Sequence, residues 1–326
     1  MTQAKTQPVI TAENLARHYE VGGGMFSKPK IVKALSEATF EIHPGKTLAV
    51  VGESGCGKST LARLVTLIEE PTAGTFSIGG VPGTPDNWPS LREAVQIVFQ
   101  DPYGSLNLRH RVGSILEEPL KINRPDMSAA EREEKARAMM ELVGLRPEHY
   151  DRFPHMFSGG QRQRIAVGRA LMLEPKLMVL DEPVSALDVS IQSQVLNLLL
   201  DLQERLHLAY LFISHDLSVV RHVADEVIVM YLGRPVEFAS KEALFAHPRH
   251  PYSKALLSAT PTTEPERKLE RIKLEGELPS PLNVPDGCPF APRCWKVRAK
   301  CRAERPELGG DGHRVACFFP EDGPDA

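Results

Sequence analysis

TLAVVGESGCGKST, residues 47–60, joins an apolar run to a glycine-rich loop that closes on Lys58, Ser59 and Thr60. The loop, GESGCGKST (52–60), fits the pattern G-x-x-x-x-G-K-[ST]; TLAVV before it predicts a buried strand and LARLVTLI after it predicts a helix. In that setting the backbone N–H groups of Gly52, Glu53, Ser54, Gly55, Cys56 and Gly57 form a nest at a helix N-terminus, where phosphate binds. Lys58 is expected to neutralise the β- and γ-phosphates of a nucleotide, Ser59 to coordinate Mg²⁺, and Thr60 to reach the α-phosphate. Cys56 fills a free position of the pattern, where a small residue fits.

KLMVLDEP (176–183) is a second apolar run closed by polar residues, and YLFISHD (210–216) a third. Both read as buried parallel strands that carry functional groups at their C-terminal ends. The first would deliver Asp181 to the Mg²⁺ shell and Glu182 to the γ-phosphate, where its carboxylate can polarise an attacking water. An acidic pair after a strand is common alone; together with the phosphate loop it points to a nucleotide hydrolase. SIQSQVLNLLLDLQERL (190–206) carries Val195, Leu198, Leu199, Leu202 and Leu206 on one helical stripe. Strands alternating with helices predict an α/β fold with a mostly parallel sheet.

The 326 residues allow one large domain and an appendage, so the chain can bury a substantial core without disulfides. A hydrophobic fraction of 42% and a charged fraction of 25% are those of an ordinary globular chain, and no apolar run approaches the roughly 18 residues of a membrane span. MTQAKTQPVITAENL at the N-terminus lacks the apolar stretch of a secretory signal, which points to a reducing cytosol. The net charge of -3 argues against non-specific nucleic-acid binding. Residues 102–173 lack buried-strand runs but hold helical stretches such as AEREEKARAMMELVGL (130–145), which predicts a helical subdomain inserted in the α/β core. Twelve of the 27 prolines fall within the last 83 residues, so the chain is expected to divide into a nucleotide-binding domain over 1–243 and a loop-rich extension over 244–326.

FSGGQRQRIAVGRAL (157–171) narrows the class. SGGQ is a polar turn leading into a helix, so Ser158 and the N–H groups of Gly159 and Gly160, followed by Gln161, can present donors to phosphate oxygens. With this turn a short way upstream of the acidic strand, residues 1 to about 240 resemble the ATP-binding cassette (ABC) family. The resemblance implies a P-loop NTPase core with an antiparallel β subdomain. It also implies a dimer, because SGGQ of one family subunit closes over ATP held by the loop of another. It assigns Tyr19 to stacking on adenine and Gln100 to sensing Mg²⁺ and the attacking water. Asp188 would couple the two ATP sites, and His215 would contact the γ-phosphate.

HPRHPYSKALLSATP (247–261), GELPSPLNVPDGCPFAPRC (276–294) and HRVACF (313–318) extend the resemblance to the peptide- and nickel-importer ATPases of that family. It implies an ATPase that drives import of dipeptides or short peptides, or of another cargo such as nickel, haem or glutathione. The partners implied are a paralogous ATPase subunit, two membrane permeases and, indirectly, a periplasmic peptide-binding protein. The place implied is the cytoplasmic face of the inner membrane. An accessory ATPase of a soluble enzyme complex is the alternative, and such a protein would lack much of the extension.

Cys288, Cys294, Cys301 and Cys317 follow the spacing C-x5-C-x6-C-x15-C. Disulfides do not suit a reduced cytosol, and structural zinc usually arrives in tight C-x2-4-C pairs, although His313 could supply a ligand. Four thiolates on loops suit a [4Fe–4S] cluster, the cofactor that resembling importer ATPases also suggest. Zinc, and simple packing of small buried side chains, stay open.

Overall fold

The computed structural model describes residues 7–22, 29–260, 271–277 and 279–321. Its strands are β1 (Ile10–Val21), β2 (Lys30–Ile42), β3 (Thr47–Val51), β4 (Ala73–Ile78), β5 (Val81–Pro82), β6 (Val95–Val98), β7 (Leu177–Asp181), β8 (Ala209–Ile213), β9 (Glu226–Tyr231), β10 (Arg234–Ser240) and β11 (Arg314–Val315). They form two sheets, one ordered β2-β1-β4-β5 and the other β11-β10-β9-β3-β8-β7-β6.

The larger sheet is parallel from β9 through β6 and turns antiparallel at β10 and β11. Every residue of β3 and β8 is buried, as continuous apolar runs require when both faces of a sheet are covered. The smaller sheet is antiparallel. It turns Leu15, Leu35, Phe40 and Ile42 toward β3 and the helix Lys58–Val65, while Glu13, Glu37 and Glu41 face solvent.

Between β6 and β7 the described residues contain helices and no strand, notably Val112–Asn123, Ala129–Leu142 and Gly159–Leu171. Leu116, Met140 and Ile165 bring these three helices into one core with β7, β8 and the helix Val189–Leu206. Along that last helix Val195, Leu199 and Leu202 are buried as the stripe predicts, but Leu206 is 44% exposed. It sits on the final turn, where His207 adopts a left-handed conformation and ends the helix, beyond the sheet that covers the rest.

The C-terminal part differs from a tail without a core. β11 adds to the sheet through Glu237↔Val315 and Phe238↔Arg314. Tyr252, from the helix Pro251–Ser258, and Phe290 are fully buried against Val51, Val229 and Tyr231. Much of its order therefore comes from aromatic burial on the main sheet, at roughly 1.5–3 kcal/mol for each large side chain. The proline-rich composition hides this because the anchors are single residues rather than periodic runs.

Candidate nucleotide site and cysteine cavity

β3 delivers the loop 52–57 to the first turn of the helix Lys58–Val65. Glycine is required twice. A Cβ on Gly52 would lie 2.3 Å from the carbonyl oxygen of Met230, and one on Gly57, at φ 102, would lie 2.4 Å from that of Ala34. Lys58 is buried and donates from Nζ to the carbonyls of Gly52 at 2.7 Å and Glu53 at 3.1 Å. Ser54, Gly55 and Ser59 are exposed at the mouth of the loop, and Thr60 is half-buried. Cys56 is 2% exposed and its thiol is shifted upward by burial, which matches a small packed residue.

The ends of the neighbouring strands converge beside this loop. Asp181, the last residue of β7, is shifted upward first by burial and then by Glu182, while Lys58 and Arg63 pull the other way. Glu182 follows at φ 49, a left-handed conformation rare for a side chain of its size and typical of strained functional positions. Its Oε2 accepts a hydrogen bond from Gln100 Nε2 at 2.9 Å and lies 3.1 Å from His215 Nδ1. Three residues drawn from the ends of β6, β7 and β8 thus meet at one carboxylate. Ser185, absent from the sequence reading, lies 3.3 Å from Gln100 Nε2, and a cavity of ≈ 310 Å³ opens there between Glu182, Ser185, Ser214 and His215.

The remaining expected positions stand apart. Ser158 caps its helix in a reciprocal box with Gln161: Ser158 Oγ accepts the Gln161 N–H and Gln161 Oε1 accepts the Ser158 N–H. Gly159 and Gly160 lie against Leu187 and Ile191. Among the described residues no hydrogen bond links 158–161 with 52–60. Asp188 is exposed at the start of the helix Val189–Leu206 without a side-chain capping bond. Tyr19 is half-buried in β1, with its hydroxyl donated to Glu69 and the Arg17 guanidinium 4.8 Å from its ring centroid.

The C-terminal part reaches the same loop. The Glu53 N–H donates to the Tyr252 hydroxyl at 2.8 Å, and Arg293 grips the Glu53 carboxylate with two bonds of 2.7 and 3.1 Å. Neither contact was read from the sequence, although HPYSKAL and APRC contain both residues.

Cys288, Cys294, Cys301 and Cys317 line one small cavity with Phe290 and Lys296. Burial pushes the Cys288 thiol up to about 11 and raises those of Cys294 and Cys317. Among the described residues, however, no group of three or more His, Cys, Asp or Glu is spaced to hold a metal ion. His313, the further zinc ligand that the sequence offered, is engaged elsewhere. His313 Nε2 lies 2.6 Å from Glu237, a fully buried carboxylate that also accepts the N–H groups of Arg249 and His250. Burying that charge requires such partners, so the ring is committed away from the cysteines.

Two family models match in sequence, ABC transporter over residues 35–185 and oligopeptide/dipeptide transporter, C-terminal region, over 236–301. The chain is 59% identical over 316 residues to the dipeptide transport ATP-binding protein DppF of Haemophilus influenzae, covering 95% of this chain and 96% of that one. It is 57% identical over 319 residues to the di/tripeptide transport ATP-binding protein DppF of Pseudomonas aeruginosa, covering 97% and 98%. The chain belongs to the ABC transporter family. The ABC fold is equally evident in solved structures. CbiO1 of Clostridium perfringens superposes with a TM-score of 0.64 at 27% identity, over 73% of this chain and 91% of that one. The ATP-binding cassette MJ0796, a dimer bound to ADP and Pi, gives 0.62 at 26%, over 71% and 98%.

Proposed function

We propose that this chain hydrolyses ATP to drive import of dipeptides through a membrane transporter, on the inner face of the plasma membrane. The carrying observation is the Glu182 carboxylate, held by Gln100 and His215 beside the phosphate loop. In that role Gly52 to Thr60 cradle the phosphates, with Lys58 turning from its own loop carbonyls to the β- and γ-phosphates. Ser59, Asp181 and Gln100 would hold Mg²⁺, Glu182 polarises the attacking water, and His215 meets the γ-phosphate. The names of the relatives support the dipeptide cargo, and the C-terminal match favours an importer over an accessory ATPase.

The active unit is a dimer of two ATPase chains, this one and a paralogue, beneath two permeases. Ser158, Gly159, Gly160 and Gln161 would close on the partner's ATP, Asp188 would link the two sites, and Tyr19 would stack on adenine. The cassette would span 1–243, with its helical subdomain at about 102–173, and the extension 244–326. Deleting the gene should abolish growth on dipeptides as sole amino-acid source. Wild-type chain should restore it, whereas Lys58→Ala and Glu182→Gln should not; growth with either variant would remove that residue from its role.

Cys288, Cys294, Cys301 and Cys317 would hold a [4Fe–4S] cluster. Four thiols lining one cavity supply the number and kind of donors that such a cluster takes; as they stand they are not at metal-holding spacing, so the segments that carry them would have to draw together around it. A bound cluster would cross-link the short helix Ala299–Ala303, which carries Cys301, to the segments that carry Cys288, Cys294 and Cys317, and would supply no redox step in transport. Anaerobically purified protein should contain about four irons and four acid-labile sulphides per chain; protein without iron would return the cysteines to packing.

A further inference from the structure

Glu53 introduces a problem into the phosphate loop. A carboxylate at its second position stands beside the N–H nest that must accept the anionic phosphates, and like charge disfavours the bound anion. The structure answers from 240 residues away along the chain. Arg293 pairs with Glu53 in the two-pronged geometry that matches a planar guanidinium to a carboxylate. The Arg293 side chain is only 8% exposed and that of Glu53 30%, so the pair is poorly screened by solvent. Tyr252, also from the C-terminal part, accepts the N–H of the same residue.

These contacts are mounted on a continuous aromatic support. Tyr252 and Phe290 lie 4.7 and 5.3 Å from Tyr231, centroid to centroid, and 5.5 Å from each other; the Arg293 guanidinium is 6.0 Å from the Tyr231 ring. Phe290 and Cys294, on either side of Arg293 in the chain, line the cysteine cavity. The segment that carries Arg293 is thus part of the wall of that cavity.

We propose that Arg293 is a positioning residue for nucleotide binding: by neutralising Glu53 and fixing the start of the phosphate loop, it lets the C-terminal extension set the affinity of the chain for ATP. The inference rests on the phosphate-loop reading of residues 52–60. It requires that the effect of Arg293 run through Glu53. An arginine that merely holds the extension to the fold would not meet that requirement.

The test is ATP binding to purified full-length chain, measured by calorimetry for wild type, Arg293→Met, Arg293→Gln, Arg293→Lys and the double variant Arg293→Met with Glu53→Gln. Thermal melting without nucleotide verifies folding in each. An unpaired Glu53 should weaken ATP binding about tenfold in Arg293→Met and Arg293→Gln, the scale of a lost partly buried charge pair. Arg293→Lys keeps the charge but loses the second prong, so its affinity should fall between those of wild type and Arg293→Met. The double variant removes the bare carboxylate and should recover at least threefold over Arg293→Met, a coupling expected of residues in direct contact. ATP affinity within twofold of wild type in both Arg293→Met and Arg293→Gln overturns the proposal, as does a double variant that binds no better than Arg293→Met. Lys58→Ala, run alongside, separates the two readings. Unchanged binding there would overturn the phosphate-loop assignment itself, whereas lost binding there with normal binding in the Arg293 variants would overturn only the role of Arg293.

Discussion

At the scale of single residues, the site depends on one carboxylate held in an unfavourable backbone conformation. Glu182 sits at φ 49, its side chain is only 16% exposed, and the two neighbours that reach it, Gln100 and His215, follow β6 and β8, the strands on either side of β7. Glu182→Gln preserves the shape of the side chain and removes the charge that would draw a proton from water. The expected outcome is ATP affinity near that of wild type with phosphate release slowed about 100-fold or more, the usual contribution of a positioned base. Equilibrium ATP binding and steady-state phosphate release separate the two effects, and wild-type turnover would assign the water to another group. Sequence was informative here because strand-end residues are fixed by the strands themselves. Asp181, Glu182 and His215 follow continuous apolar runs, so their convergence is implied once those runs lie parallel. Ser185 was not legible, since nothing in its neighbours distinguishes it from any polar turn residue.

At the scale of elements, the helix Pro251–Ser258 is tied to the rest of the molecule by its cap. His250 is 1% exposed, its Nδ1 accepts the Tyr252 N–H at 3.1 Å, and its own N–H is donated to buried Glu237. An acceptor nitrogen must be unprotonated. Burial lowers the His250 pKa from 6.5 to about 4, against a smaller opposing pull from Glu237. Because the unfolded chain binds the proton more readily, this group contributes stability that is complete above pH 6.5 and is lost as pH falls toward 4. The loss reaches about 3 kcal/mol at most, on the scale of 1.36 kcal/mol per unit. His250→Asn keeps a capping acceptor that does not titrate, so its melting temperature should fall less than that of wild type between pH 7 and pH 5; parallel curves would place the acid sensitivity elsewhere. Elements of this kind escape a sequence reading. β11 has two residues, too few for any period, and the irregular pairing of β1 with β2, shifted between Ala12 and Leu15 and again toward His18, breaks the alternation that would reveal them. β3, β7 and β8 were legible for the opposite reason, being buried from end to end.

At the scale of the whole molecule, the Ser158 turn and Asp188, proposed to serve a second ATP site, lie apart from the chain's own phosphate loop. Among the described residues the Ser158 turn bonds to itself and its helix, Met156 beside it is 60% exposed, and Val189 beside Asp188 is 78% exposed. If the partner's nucleotide meets that turn, a bulky cation there should harm the assembly rather than the chain's own phosphate loop. Ser158→Arg places such a group at the helix start, where it opposes both the helix dipole and close approach of a second subunit. In the purified single chain, ATP affinity should stay within about twofold of wild type, because no bond joins 158–161 to 52–60. In the assembled transporter, hydrolysis should fall by about tenfold or more, as expected when a donor to the reacting phosphate is removed. Two assays on one variant therefore decide the matter. A loss of ATP affinity in the single chain would mean that the turn serves its own loop, and full hydrolysis in the assembly would mean that the exposed face meets something other than a second ATP site.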